Sequence, residues 1–222
     1  MASILELIAT CTERGKLNKD APYPPDMREL NGVDELVAQA LSDGIDPDEV
    51  LNQGLMVGMG RIGEQFSRNE VFVPELLMAA RAMSAGMKHL KPHFDSGAAK
   101  RKGTFVIGTV AGDLHDIGKN LVRMVMEGGG WEVVDLGVDA GVDKFLAAVE
   151  LNPGCAVGLS ALLTTTMGHM GDIVQAIRDK APDTKILVGG APLTQEFCDM
   201  IGADSYARDP QLALEYLSSS FV

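Results

Sequence analysis

Thr104-Phe105-Val106-Ile107-Gly108-Thr109-Val110-Ala111-Gly112-Asp113-Leu114-His115-Asp116-Ile117-Gly118-Lys119-Asn120 decides the fold of this chain. A short β-rich apolar run, Thr104 to Thr109, gives way through a glycine-bounded loop to a helical segment that starts near Ile117. His115 sits in that loop, between carboxylates. Open α/β sheets bind their ligands at such strand ends, and Asp113 stands close enough in sequence to fix the tautomer of the ring. An imidazole held this way suits a metal ligand or a general base, and the loop alone does not separate the two.

The pattern recurs downstream. β-rich runs at Glu132–Leu136, Cys155–Ser160 and Lys185–Val188 alternate with helical segments that begin near Val142, Met167 and Thr194. The intervals are long enough for crossover helices, which predicts a doubly wound, flavodoxin-type parallel sheet with its ligand beyond the carboxyl ends of the strands. Besides the His115 loop, two segments reach that edge: Ser160-Ala161-Leu162-Leu163-Thr164-Thr165-Thr166 and Gly189-Gly190-Ala191. Their small side chains and hydroxyls allow close approach and hydrogen bonding to a polar ligand. The chain has no Gly-x-Gly-x-x-Gly fingerprint, no P-loop ending at the first strand and no Gly-x-Ser-x-Gly elbow around Ser160. Hydrolase and nucleotide-transfer chemistries lose ground accordingly.

Upstream of Pro92 the hydrophobic period is helical. Four stripes are legible: Ile4 to Cys11, Val33 to Leu41, Leu51 to Phe66 behind the start signal Asp46-Pro47-Asp48, and one from Pro74 through Leu90 that Pro92 should stop. With no strand between them they predict a four-helix bundle. Asp20 to Asp26, carrying Pro22, Pro24 and Pro25, reads as a stiff connector, and Ser96 to Gly103 as an interdomain linker. The expected organisation is a helical domain over 1–95, a linker over 96–103 and a Rossmann-like domain over 104–222.

Composition narrows the partners. The 222 residues carry a net charge of -12 and are 46% hydrophobic, which supports a packed globular core and argues against binding to nucleic acid or to an anionic membrane. Glu6 and Glu13 interrupt the N-terminal apolar residues, so no signal peptide is expected, and no run reaches membrane-spanning length. The three scattered cysteines, Cys11, Cys155 and Cys198, fit a reducing cytoplasm and argue against a Cys-based metal site.

Asp113-x-His115-x-x-Gly118, then Ser160-x-Leu162, then Gly189-Gly190, behind a helical segment, resembles the signature of cobalamin-binding domains. The likeness runs from about Val33 to Leu217 and is strongest to the corrinoid proteins of methyltransferase systems and to the cobalamin-binding module of methionine synthase. The resemblance implies cobalamin as cofactor, cycling between its methyl and cobalt(I) forms. It makes His115 the lower axial ligand of cobalt in a base-off, His-on state, oriented by Asp113, with Thr166 ending the hydrogen-bond relay where methionine synthase has serine. It places the nucleotide tail in a crevice of Gly108, Ser160, Thr164, Gly189 and Gly190, with Tyr206-Ala207 near its end. It sets Phe66, Val73 and Leu76 over the methyl group, and it marks Asn52 as a departure from a glutamate.

Each residue also has a plainer reading. A lone Asp-x-His is more often a satisfied loop histidine, but the companion motifs shift the balance to a ligand. Some hydroxyls of Ser160 to Thr166 would simply cap the next helix, and Thr165 needs no functional role. Phe66 continues one core stripe and Leu76 begins another, so core packing explains them equally well. His89, His93 and His169 read as solvent or capping residues.

The function expected from the resemblance is that of a non-catalytic methyl-carrier subunit. It would work between a substrate-specific methyltransferase and a second methyltransferase that acts on tetrahydrofolate or a thiol, with a reductive activase as a further partner. Two other classes compete. A cobalamin-dependent sensor or regulator would need a DNA-binding or signalling segment for which this acidic chain has no room. The small subunit of an adenosylcobalamin mutase would need an open upper face, with which a dedicated methyl cap makes little sense.

Overall fold

The structure is a computed structural model that describes residues 2–95 and 101–221. The chain divides into two compact units, Met1–Arg101 with Glu127–Gly130, and Lys102–Met126 with Trp131–Val222. Of the expected linker 96–103, residues 96–100 lie outside the described residues.

The N-terminal elements are α1 (Ile4–Glu13), α2 (Val33–Ser42), the short α3 (Pro47–Glu49), a π-turn over Val50–Leu55, α4 (Met56–Ser67) and α5 (Val73–Asp95). Local chemistry explains the starts. Ser3 accepts from the Glu6 amide at 3.2 Å, and Asp46 accepts from the Asp48 amide at 2.8 Å ahead of Pro47, whose ring suits a first helical turn. The third stripe is therefore not one regular helix: the π-turn widens it while keeping Leu51 and Leu55 buried. Nor does Pro92 stop α5: the proline removes the single bond that residue 92 would donate to the Lys88 carbonyl, and the helix continues past it to Asp95. Ile8, Val37, Leu55, Met59, Leu76, Met83 and Leu90 form the core of this unit, each no more than 2% exposed.

The connector after α1 is pinned by charge. Lys16 is wholly buried and donates from Nζ to the Ala21 carbonyl at 2.9 Å, while Arg14 forks both oxygens of Asp26 at 2.9 Å. Helices α1 and α4 meet with no room for a side chain at Gly58. A Cβ there would collide with the Ala9 carbonyl oxygen and lie 2.6 Å from Cβ of Thr12.

The remaining elements follow in the order β1 (Thr104–Thr109), α6 (Ile117–Gly128), β2 (Glu132–Asp135), α7 (Val142–Leu151), β3 (Ala156–Ser160), α8 (Gly168–Lys180), β4 (Ile186–Gly189), α9 (Gln195–Ile201), β5 (Ser205–Tyr206) and α10 (Pro210–Ser220). They build a five-stranded sheet of order β2-β1-β3-β4-β5, parallel at every pairing. This is the flavodoxin-type winding expected from the βαβ series, extended by β5 and α10. Val106, Phe145, Val157, Met170, Ile173, Ile186 and Val188 belong to its core.

Gly108, expected along the ligand crevice, turns its missing side chain toward the core. Its side-chain position is taken by Phe145, whose Cζ would be 2.8 Å from an added Cβ, so its small size lets α7 pack against the sheet. All three cysteines are buried and free, and burial pushes the Cys11 thiol up to about 11. Among the described residues no helix is long and apolar enough to cross a membrane.

The contact at Gly58 generates a paired test. Gly58→Ala must force α1 and α4 apart and is expected to destabilise the full chain by about 1–3 kcal/mol. Gly60→Ala, in the same helix but with nothing within 4 Å of the new methyl, should stabilise it by up to about 1 kcal/mol. Urea unfolding followed by helical circular dichroism reads both, and equal midpoints would contradict the packing described.

Candidate functional site

Strand β1 ends beside β3, with Thr109 in register with Ser160 and the Val110 amide donating to the Ser160 carbonyl at 3.0 Å. The chain then turns at Gly112, whose φ of +78° is open to glycine at no steric cost. The turn delivers the Asp113 side chain inward, where it is 0% exposed.

An ionised carboxylate has acceptors only, and here they are fully engaged. Oδ1 accepts from the His115 amide at 3.0 Å and from His115 Nδ1 at 2.7 Å. Oδ2 accepts from the Leu162 amide at 2.7 Å, the Leu163 amide at 3.2 Å and Thr166 Oγ1 at 3.0 Å. Burial is the largest influence and opposes ionisation. The amides of His115 and Leu162, the His115 ring and the Thr166 hydroxyl together outweigh it and hold the carboxyl well below the usual carboxylate range.

The same bonds define the histidine. Because Asp113 only accepts, Nδ1 must carry a proton, and in the neutral ring the lone pair is then on Nε2. The ring is 51% exposed, and among the described residues Nε2 has no hydrogen-bond partner. Its backbone is fixed as well: the buried Thr109 hydroxyl donates to the His115 carbonyl at 2.8 Å. Leu114, Ile117, Leu162 and Leu163 surround this loop and are 72%, 71%, 43% and 40% exposed. Such apolar side chains left in water at one place mark a surface meant to be covered.

Thr166, 6% exposed, keeps the hydrogen bond to Asp113 despite the methyl that serine lacks. That methyl lies over Gly112, with Cγ2 3.5 Å from where a Cβ would be, an ordinary contact. The single hydroxyl hydrogen could also serve the Leu163 carbonyl at 2.9 Å, and charge favours the carboxylate.

The other sequence-derived residues fall on the same sheet edge by register. Ser160 pairs with Gly189, and the Ala207 amide donates to the Val188 carbonyl at 3.0 Å. Gly190 has a φ of +138°, and a Cβ on it would collide with the Ala161 carbonyl oxygen, so two loop backbones touch where no other residue fits. Gly118, by contrast, has nothing within 4 Å of a would-be Cβ, so no protein contact accounts for its size. Leu162 and Thr164 are exposed beside the relay.

Three expected residues belong to the helical unit. Phe66 and Val73 are half-buried, and Leu76 is 1% exposed within the helical core. Asn52 turns its amide onto the Asp48 carbonyl at 2.8 Å. His89 pairs with Asp34 at 2.7 Å. Among the described residues no cluster of three or more His, Cys, Asp or Glu could hold a metal ion. Sequence reading passed over Thr109, Leu163 and the exposed leucine and isoleucine beside His115. Their signal was available in the apolar residues of a polar loop.

Comparison with known proteins bears on this site. A B12 binding domain family matches residues 103–215, and a second B12 binding domain family matches residues 29–91. Dimethylamine corrinoid protein 3 of Methanosarcina acetivorans is 38% identical over 182 residues, 81% of this chain and 85% of that one. The trimethylamine corrinoid protein of Methanosarcina barkeri is 41% identical over 181 residues, 79% of this chain and 83% of that one. Among solved structures, a cobalamin-binding protein from Desulfitobacterium hafniense matches with a TM-score of 0.75 and 31% identity over 97% of this chain and 98% of that one. The methanol:cobalamin methyltransferase complex MtaBC of Methanosarcina barkeri contains a chain that matches with a TM-score of 0.80 and 29% identity, over 98% of this chain and 79% of that one. The protein belongs to the B12-binding corrinoid protein family, and cobalamin is its cofactor.

Asp113 makes the site sensitive to substitution and to acid. In either orientation of its amide, Asp113→Asn sets an N–H against at least one backbone N–H, of His115 or of Leu162 and Leu163, and should cost about 2–3 kcal/mol of stability near neutral pH. The folded-state pKa is depressed, so the unfolded chain takes up the proton first. The advantage over the variant is therefore complete above about pH 4 and is lost as pH falls further, through the folded value. Urea titrations across that range test it, and indistinguishable midpoints at neutral pH would contradict it.

Proposed function

We propose that this member of the corrinoid family carries a methyl group on the cobalt of a base-off, His-on cobalamin, with His115 Nε2 as the lower axial ligand. The observation that carries the reading is the Asp113 carboxylate, which fixes the proton on Nδ1 and leaves a half-exposed Nε2 lone pair at the sheet edge. A neutral imidazole suits a borderline transition metal, and a carboxylate on its second nitrogen raises its basicity.

The surroundings fit a corrinoid. Leu114, Ile117, Leu162 and Leu163 supply an apolar floor for a macrocycle, while Gly118 leaves space beside the ring that no protein atom claims. Ser160 and Thr164 offer hydroxyls to the nucleotide tail along the edge that Gly189, Gly190 and Ala207 keep low. Phe66, Val73 and Leu76 are assigned to the shielding of the methyl group by resemblance. When bound, the cofactor supplies the nucleophilic cobalt that accepts and gives up a methyl group; the protein binds it, aims the axial ligand and sets the polarity below it.

The relatives named for dimethylamine and trimethylamine, and the neighbour from a methanol:cobalamin methyltransferase complex, support a methyltransferase partner, and the reading adds a second one. One would deliver the methyl group from its substrate, and the other would pass it to tetrahydrofolate or a thiol. A reductive activase would restore the cofactor after oxidation. None of these roles calls for a group on this chain that attacks substrate.

His115→Ala should abolish the splitting from one protein nitrogen in the electron paramagnetic resonance spectrum of the cobalt(II) holoprotein, and the corrinoid should remain bound more weakly. Unchanged nitrogen splitting in the variant would overturn the assignment.

A further inference from the structure

Strand β1 lies between β2 and β3, so the loop that carries His115 has a neighbour on each side. Toward β3, Asp113 reaches Leu162, Leu163 and Thr166. Toward β2, the loop is gripped by residues 135–141, which the cofactor reading does not use. Val110 bridges Ala140 in parallel, the Thr109 amide donates to the Gly137 carbonyl at 3.0 Å, and the Ala140 amide donates to the Thr109 carbonyl at 2.9 Å. Asp139 then brackets the residues that matter. Its amide donates to the Asp113 carbonyl at 3.1 Å, and its Oδ1 accepts from the Gly112 amide at 2.8 Å.

Asp139 does this from a left-handed conformation, φ +51°, which aspartate and asparagine tolerate better than other side chains. The segment that presents it is anchored. Asp135 holds Lys119 Nζ at 2.6 and 2.7 Å and the Gly137 amide at 2.9 Å, with Lys119 3% exposed. The donors from 162–166 restrain only the tip of the Asp113 side chain. Its backbone is held within the turn by the Asp113 amide, which donates to the Val110 carbonyl at 3.1 Å, and Asp139 adds the hold from outside the turn against a rotation at Gly112 that would swing the carboxylate and the ring it aims.

We propose that Asp139 is a positioning residue: by clamping the Gly112 amide and the Asp113 carbonyl from the β2 side, it sets the tautomer and the direction in which His115 presents Nε2. The proposal rests on the reading of His115 as the cobalt ligand, and its test separates the two.

Three full-length variants divide the contributions. Asp139→Asn keeps an acceptor and the tolerance for a left-handed backbone, Asp139→Gly keeps only the backbone tolerance, and Asp139→Ala keeps neither. In the cofactor-free protein, at a pH where the wild-type ring carries a single proton, nitrogen NMR should show His115 with that proton on Nδ1 in the wild type and in Asp139→Asn. In the Gly and Ala variants the two ring nitrogens should move toward averaged shifts, and the Gly112 amide should exchange about tenfold faster with solvent. Wild-type spectra and exchange in both the Gly and Ala variants would overturn the proposal. So would a Gly variant that matches the wild type while Ala alone departs, since backbone strain would then explain everything. With cobalamin loaded and reduced to cobalt(II), the protein-nitrogen splitting should persist in Asp139→Asn and become weak or heterogeneous in the other two. A wild-type holoprotein without that splitting would defeat the ligand reading, while the cofactor-free spectra still decide for or against the clamp.

Discussion

A carboxylate sealed from water needs donors, and at Asp113 all five come from chain already committed to the sheet edge. The unpaired charge would cost several kcal/mol, so the residues that supply those donors are not free to wander. The amides of Leu162 and Leu163 must face inward, which throws their side chains outward into water. The Thr166 hydroxyl must turn toward the carboxylate, which lays its methyl on Gly112. The His115 ring must stand with Nδ1 toward the protein. The outward Leu162 and Leu163, the Thr166 contact and the inward Nδ1 are consequences of one buried charge.

Much of this was legible in the sequence because its cause is local. The strand Thr104–Thr109 and the helix from Ile117 follow from the change of hydrophobic period, and a doubly wound sheet follows from the repeated alternation. The parts that were not legible depend on long-range or marginal effects. β5 is two residues long, Ser205 and Tyr206, too short to show a period of two. Pro92 is a helix breaker by propensity, but near a helix end it removes too little to stop α5. The π-turn at Val50–Leu55 leaves no trace in residue types, since leucines at the right spacing read as one continuous helix.

Glycines show the same limit from another side. Gly108, Gly118 and Gly190 look alike as small residues near strand ends. Gly108 makes room for Phe145 in the core, Gly190 lets two backbones touch, and only Gly118 faces open space. Nothing in a single letter tells a packing glycine from one that leaves room for a ligand. Asp139 escaped notice for a related reason: its partners, Gly112 and Asp113, are far away in sequence and meet it only because β2 lies beside β1.

The shared carboxylate has a thermodynamic corollary. Oδ1 serves the histidine and Oδ2 serves the segment 162–166, so the two are coupled through one rigid group. Coupling of this kind is reciprocal. Whatever pulls on Nε2 changes the free energy with which Leu162, Leu163 and Thr166 are held, and whatever grips those residues from outside changes the free energy of binding at Nε2 by the same amount. That segment is therefore more than a wall of the site: anything bound to it would be coupled in free energy to whatever binds at Nε2.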